Sequence, residues 1–128
     1  RVRSHPKDLA AWVELGQDFM ETTQFDAAAG AFRRAVVLSR GNPMLVMAYA
    51  SALIAAADGR VTDDAKQSLE IVLEQQPYNP EARYFMALRL MQEGRTQEAM
   101  QGMKALYHEL PADSPLKKMI DAQIGRAP

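Results

Sequence analysis

Trp12-Val13-Glu14-Leu15-Gly16-Gln17-Asp18-Phe19, continued after a short polar turn by Ala28-Ala29-Gly30-Ala31-Phe32-Arg33-Arg34-Ala35, is the stretch whose reading decides the fold. Trp12, Leu15 and Phe19 recur at helical spacing, and Gly16 beside them is small enough to let another helix come close. The second part places Ala28, Phe32 and Ala35 on one face in the same way. Two amphipathic helices joined by a tight turn satisfy this pattern most simply.

Moving outward, the pattern returns twice. Val46, Tyr49, Ala50 and Leu53, then Ala65, Leu69, Val72 and Pro77, form a second copy; Met86, Ala87, Leu90, Ala99, Met103, Leu106 and Pro111 form a third. Val46 follows Trp12 by 34 positions, and Pro111 follows Pro77 by the same interval. The halves of the middle copy stand three residues further apart, which puts the extra length in the turn Asp58-Gly59-Arg60-Val61-Thr62. A period of about 34 residues with W-x2-L-G-x2-Y and A-x3-F spacing resembles the tetratricopeptide repeat (TPR). That resemblance implies an all-α fold, three TPR helical hairpins plus a C-terminal capping helix, wound as a right-handed α-solenoid. One domain over 1–128 is expected, with repeats at about 9–42, 43–79 and 80–113 and a cap at about 114–125.

Local chemistry agrees with seven helices over about 8–22, 25–39, 43–57, 63–76, 80–93, 96–109 and 115–125. Asp8, Asn42 and Asn79 stand where helix N-caps belong, and Pro43 and Pro80 follow two of them at the first helical position, where a missing N–H costs nothing. Thr62 with Asp63 and Asp64 opens the fourth helix with negative charge at its positive end. Gly94 and Thr96 are assigned turn and cap roles in the third hairpin. Ser114-Pro115 repeats the cap-then-proline start before Leu116, Met119, Ile120 and Ile124, an apolar side suited to covering the open end of a solenoid. Gly16, Ala50 and Ala87 share one small position, facing the large Phe32, Leu69 and Met103.

The 128 residues fit one compact domain. A hydrophobic content of 48%, a charged content of 24% and a net charge of -1 point to neither nucleic acid nor an anionic membrane. Absence of cysteine excludes disulfides, thiolate metal sites and cysteine nucleophiles. No apolar run reaches the roughly 18–20 residues that span a bilayer, so this fragment is not expected to insert into a membrane directly. The chain opens Arg1-Val2-Arg3 without an initiator Met, which reads as part of something longer. His5 and His108 lie far apart in the chain, and Glu14, Asp18 and Glu21 fit a solvated helix face. No phosphate loop or nucleophile elbow is present in the sequence. We expect no enzyme activity, no metal and no cofactor.

TPR arrays bind ligands on a concave face lined by the first helix of each repeat. Carried onto this chain, that face takes Val13, Gln17 and Met20 from the first repeat. Met44, Met47, Ser51 and Ile54 come from the second, and Tyr84, Leu88 and Met91 from the third. Met47 and Met91 are expected to stand clear of the core. The face is apolar and rich in methionine, whose flexible thioether suits varied apolar ligands. A blander reading packs these residues against one another or against the C-terminal helix folding back. Val13, Gln17, Met47 and Ser51 occupy the positions where carboxylate-clamp TPRs carry Lys, Asn and Arg, which disfavours capture of a free C-terminus. An amphipathic ligand helix fits instead.

The leader His5-Pro6-Lys7-Asp8-Leu9, the run Tyr49-Ala50-Ser51-Ala52-Leu53 into Ala57-Asp58-Gly59-Arg60-Val61-Thr62, the link Pro77-Tyr78-Asn79-Pro80-Glu81-Ala82 and the segment Leu110-Pro111-Ala112-Asp113-Ser114-Pro115 together resemble the C-terminal periplasmic domain of CycH/CcmI-type cytochrome c biogenesis proteins. NrfG, a nitrite-reductase maturation protein, is similar in its lengthened middle hairpin. The resemblance implies a periplasmic chaperone, tethered to the inner membrane through an upstream segment. Its implied partners are the C-terminal helix of an apocytochrome c and other subunits of the haem-ligation complex. Arg83 departs from the aromatic or apolar residue usual at its position, and Glu21 and Glu81 put charge at the groove rim. A scaffold that assembles a membrane-associated complex is the alternative reading.

Overall fold

The computed structural model describes residues 8–126. The leader residues His5, Pro6 and Lys7, and the outermost positions of the expected 1–128 domain, lie outside the described residues. Among those described there are seven helices and no strand: α1 (Leu9–Glu21), α2 (Phe25–Ser39), α3 (Pro43–Ala56), α4 (Asp63–Gln75), α5 (Pro80–Gln92), α6 (Thr96–Glu109) and α7 (Pro115–Arg126).

Five of the seven helices begin where a side chain satisfies one of their first N–H groups, α2 and α6 being without such a cap. Asp8 accepts from the Ala11 amide, Asn42 from Met44, Thr62 from Ala65, Asn79 from Ala82, and Ser114 from Leu116. Thr96 is the exception to expectation. It is the first residue inside α6; Arg95 holds the cap position, and no side chain caps that end. Gly94 does supply the turn, at φ 85°. The equivalent position of the first hairpin is Thr23, held at φ 58° although it is β-branched.

Packing follows chain order: α1 on α2, α2 on α3, α3 on α4 and α5 on α6 are close pairs, whereas α4 meets α5 more loosely. This succession of neighbours is that of a TPR solenoid. α7 packs on α6 and α5, the place the first helix of a further repeat would take. Phe32, Leu69 and Met103 are all buried, as the small-against-large pattern requires. At Gly16 the approach is tightest, since a Cβ there would lie 2.7 Å from Cε1 of Phe32. Two apolar clusters result. The smaller gathers Ala28, Ala29, Phe32 and Ala52, and the larger runs from Val46 through Leu69 and Tyr84 to Ile120 of α7.

Candidate peptide-binding groove

The helices α3, α5 and α7 enclose a recess of about 400 Å³, lined by Ile54, Tyr84, Phe85, Leu88, Met91 and Met119, with Asp58, Gly59, Gln92 and Gln123 at its polar margin. A second recess of about 410 Å³ opens at the start of α3 and α5, lined by Met44, Met47, Ala48, Gln76, Asn79, Pro80 and Glu81. Helical periodicity explains the shared wall: Glu81, Phe85, Leu88 and Gln92 fall at i, i+4, i+7 and i+11, on one face of α5.

Of the residues expected on this face, several are far less available than anticipated. Met47 is only 5% exposed and Tyr84 2%, and Ile54 and Leu88 are buried as well. Met47 therefore does not stand clear of the core. Neighbouring first helices flank α3 on both sides in a solenoid, and α7 folds over α5. Side chains aimed inward from α3 and α5 thus meet protein before they meet water, as in the blander reading of these methionines. Ile54, Tyr84, Leu88 and Ile120 belong to one cluster, with Met91 packed against its edge. Met44 is 76% exposed, Gln17 is exposed, and Val13, Met20, Ser51 and Met91 are half-buried. Met20 packs on the smaller cluster, separate from the two recesses. The recesses are thus walled by the buried residues and reached across Met44, Met91, Phe85 and Met119. Phe85 and Met119 were missed from the sequence, although the apolar side of α7 was the signal that could have found Met119.

The lengthened middle turn forms one lip of the first recess. Its Asp58 and Gly59 take φ values of 55° and 90°, and Val61 turns inward to be buried. From α5, the Gln92 side chain closes a two-way bridge: Oε1 accepts from the Val61 amide at 2.9 Å and Nε2 donates to the Gly59 carbonyl at 3.0 Å. Arg89 donates to the Val61 carbonyl at 2.8 Å and to Asp63 at 2.9 Å. Gln92 is thus occupied with holding the turn.

Charge around the face has clear causes. Arg83, the departure from an apolar residue, forms a two-pronged pair with Glu109 of α6 at 2.9 and 3.0 Å. Glu81 keeps part of its side chain in water, yet desolvation beside the apolar wall disfavours its charged form and raises its carboxyl above the usual range. Among the described residues, no group of His, Cys, Asp and Glu could hold a metal ion, and no helix is long and apolar enough to cross a membrane.

Stacked helical hairpins with an apolar trough between their first helices define a TPR-type protein-interaction fold. A family model described as the cytochrome c-type biogenesis protein H TPR domain matches residues 1–117, and the chain belongs to that family. Its relatives include the cytochrome c-type biogenesis protein CycH of Rhizobium meliloti, 34% identical over 120 residues, which cover 94% of this chain and 32% of that protein. CycH of Bradyrhizobium diazoefficiens is 29% identical over 125 residues, covering 98% and 34% respectively. The formate-dependent nitrite reductase complex bifunctional subunit NrfFG of Haemophilus influenzae is 29% identical over 73 residues, covering 57% of this chain and 19% of that protein. The chain spans about a third of the length of the CycH relatives it matches.

Proposed function

We propose that this chain is a binding module of cytochrome c maturation, which holds the C-terminal helix of an apocytochrome c in its apolar groove for haem ligation by other subunits. It works as one domain of three repeats, at about 9–42, 43–79 and 80–113, closed by a cap at 114–125. The module belongs in the periplasm, tethered to the inner membrane through a segment outside this chain. The observation that carries the reading is the recess of about 400 Å³ walled by Tyr84, Phe85, Leu88, Met91 and Met119, which accepts the apolar stripe of a helix. Membership of the cytochrome c-type biogenesis family supports a client drawn from cytochrome c maturation.

A ligand helix that buries about 500 Å² of apolar surface gains about 12 kcal/mol at roughly 25 cal/mol per Å². Association and ordering remove roughly half of that or more. A dissociation constant on the order of tens of micromolar follows. Calorimetric titration with a synthetic apocytochrome C-terminal helix tests this, and the absence of heat or saturation at hundreds of micromolar would refute it.

A second reading, assembly of a membrane-associated complex, draws on the outer side of the hairpins. There Val37 is 65% exposed on α2 beside Gly30, Arg33 and Arg34, and Ile71 is exposed on α4. Sedimentation separates the two, since a scaffold self-associates or binds a partner subunit while ignoring apocytochrome helices.

A further inference from the structure

Each of the two recesses contains one carboxylate, and neither is lined by Lys or Arg. Asp58 sits at the lip of the first recess and Glu81 at the second, at opposite ends of the α3–α5 trough. Neither takes part in an ion pair among the described residues. Arg60, close to Asp58 in sequence, is exposed and lines neither recess. Both carboxylates stand on ordered backbone. Glu81 lies in the first turn of α5. Asp58 precedes Gly59, whose carbonyl is tied to Gln92 at 3.0 Å. Glu81 and Gln92 are eleven residues apart on one face of α5, which puts the two ends of the trough on the order of 16 Å apart at about 1.5 Å per residue.

We infer that the groove selects a helix of a particular charge pattern: an apolar stripe bordered by a Lys or Arg near each end, about three turns apart, to meet Asp58 and Glu81. This inference rests on the reading that the groove takes a helix, and it adds which helices are preferred. An apolar ligand laid over an unpartnered carboxylate must strip water from it, so a neutral or acidic edge is penalised while a cationic edge supplies the missing partner. The raised carboxyl of Glu81 agrees with partial desolvation before any ligand arrives.

Three labelled peptides with one apolar stripe test it, their two edge positions, eleven residues apart, being both Lys, both Gln or both Glu. They are titrated by fluorescence anisotropy at low salt into the parent chain and into an Asp58→Asn, Glu81→Gln double variant whose melting curve is checked. The Asn substitution keeps a residue that tolerates the left-handed backbone of position 58. The Lys peptide should bind the parent about three- to tenfold more tightly than the Gln peptide, with the Glu peptide weakest, and the double variant should bring the three within about twofold. Equal affinities of all three for the parent would overturn the charge selection and leave the groove reading standing. Failure of every peptide to bind would overturn both. A Lys preference that survives in the double variant would assign selection to other residues and contradict the inference.

Discussion

Nη1 of Arg89 donates to the carbonyl oxygen of Val61 at 2.8 Å, tying the fifth helix to the lengthened turn that closes the second hairpin. The same guanidinium reaches Asp63 and Glu93, both at 2.9 Å. Val61 is also gripped by Gln92 through its amide. One buried residue in an irregular turn thus has both backbone polar groups satisfied from the next repeat, which lets a longer turn stay ordered at the groove's lip.

Gln92→Leu leaves the Val61 amide without its acceptor. Hydrogen exchange at that amide should accelerate by at least about tenfold relative to the parent, with a fall of about 3–6 °C in Tm. Unchanged exchange at Val61 would mean that the turn orders itself without α5.

Gly16 faces the Phe32 ring, with room for no side chain. Gly16→Leu should lower stability by about 1–3 kcal/mol, read from denaturant melts. Adding Phe32→Leu should recover part of that loss, because the two positions share one space. A fully stable single variant would remove the first hairpin's packing register.

Thr23 holds the left-handed conformation that Gly94 supplies in the third hairpin. Thr23→Gly relieves a β-branched side chain from φ 58°, against the extra freedom glycine gains when unfolded. A net gain of about 0.5–1 kcal/mol is the expected outcome of an equilibrium melt. Destabilisation would show that the Thr23 hydroxyl, which donates to the Thr22 carbonyl at 2.7 Å, outweighs the backbone strain.

Arg83 holds the Glu109 carboxyl below its ordinary value of 4.5 through hydrogen bonding and charge. The unfolded chain therefore takes up that proton more readily than the native one. Stability from the pair is present above the ordinary carboxylate range and is lost as pH falls through the lowered native value. The difference in Tm between parent and Arg83→Met should accordingly exist at neutral pH and shrink in acid. A pH-independent difference would assign the role of Arg83 to packing alone.

The helix starts and the repeat were legible in the sequence because their causes are local. Asp8, Asn42, Thr62 and Asn79 each cap an amide two or three residues ahead, and Gly16 announces a close approach within its own hairpin. Thr96 misled, since a residue able to cap sits one position inside the helix. The groove was legible only in outline. Periodicity says which way Met47, Tyr84 and Leu88 point, but not that flanking helices and α7 stand there, so covered walls pass for open surface. Arg83 with Glu109 and Gln92 with Gly59 are pairings 26 and 33 residues apart, invisible to any local pattern.

The burial of Met47 makes it unfit to test binding, since Met47→Glu would place a carboxylate among core residues and unfold the chain. Met91, half-buried at the edge of the recess between α3, α5 and α7, is the position that separates binding from folding. The decisive measurement is fluorescence anisotropy of a labelled apocytochrome c C-terminal helix titrated with the parent chain and with Met91→Glu, each accompanied by a circular-dichroism melt. A parent dissociation constant on the order of tens of micromolar is expected, with a loss of at least about tenfold in the variant and melting temperatures within a few degrees. Equal affinity of the two folded proteins, or a parent that ignores the helix, would contradict it.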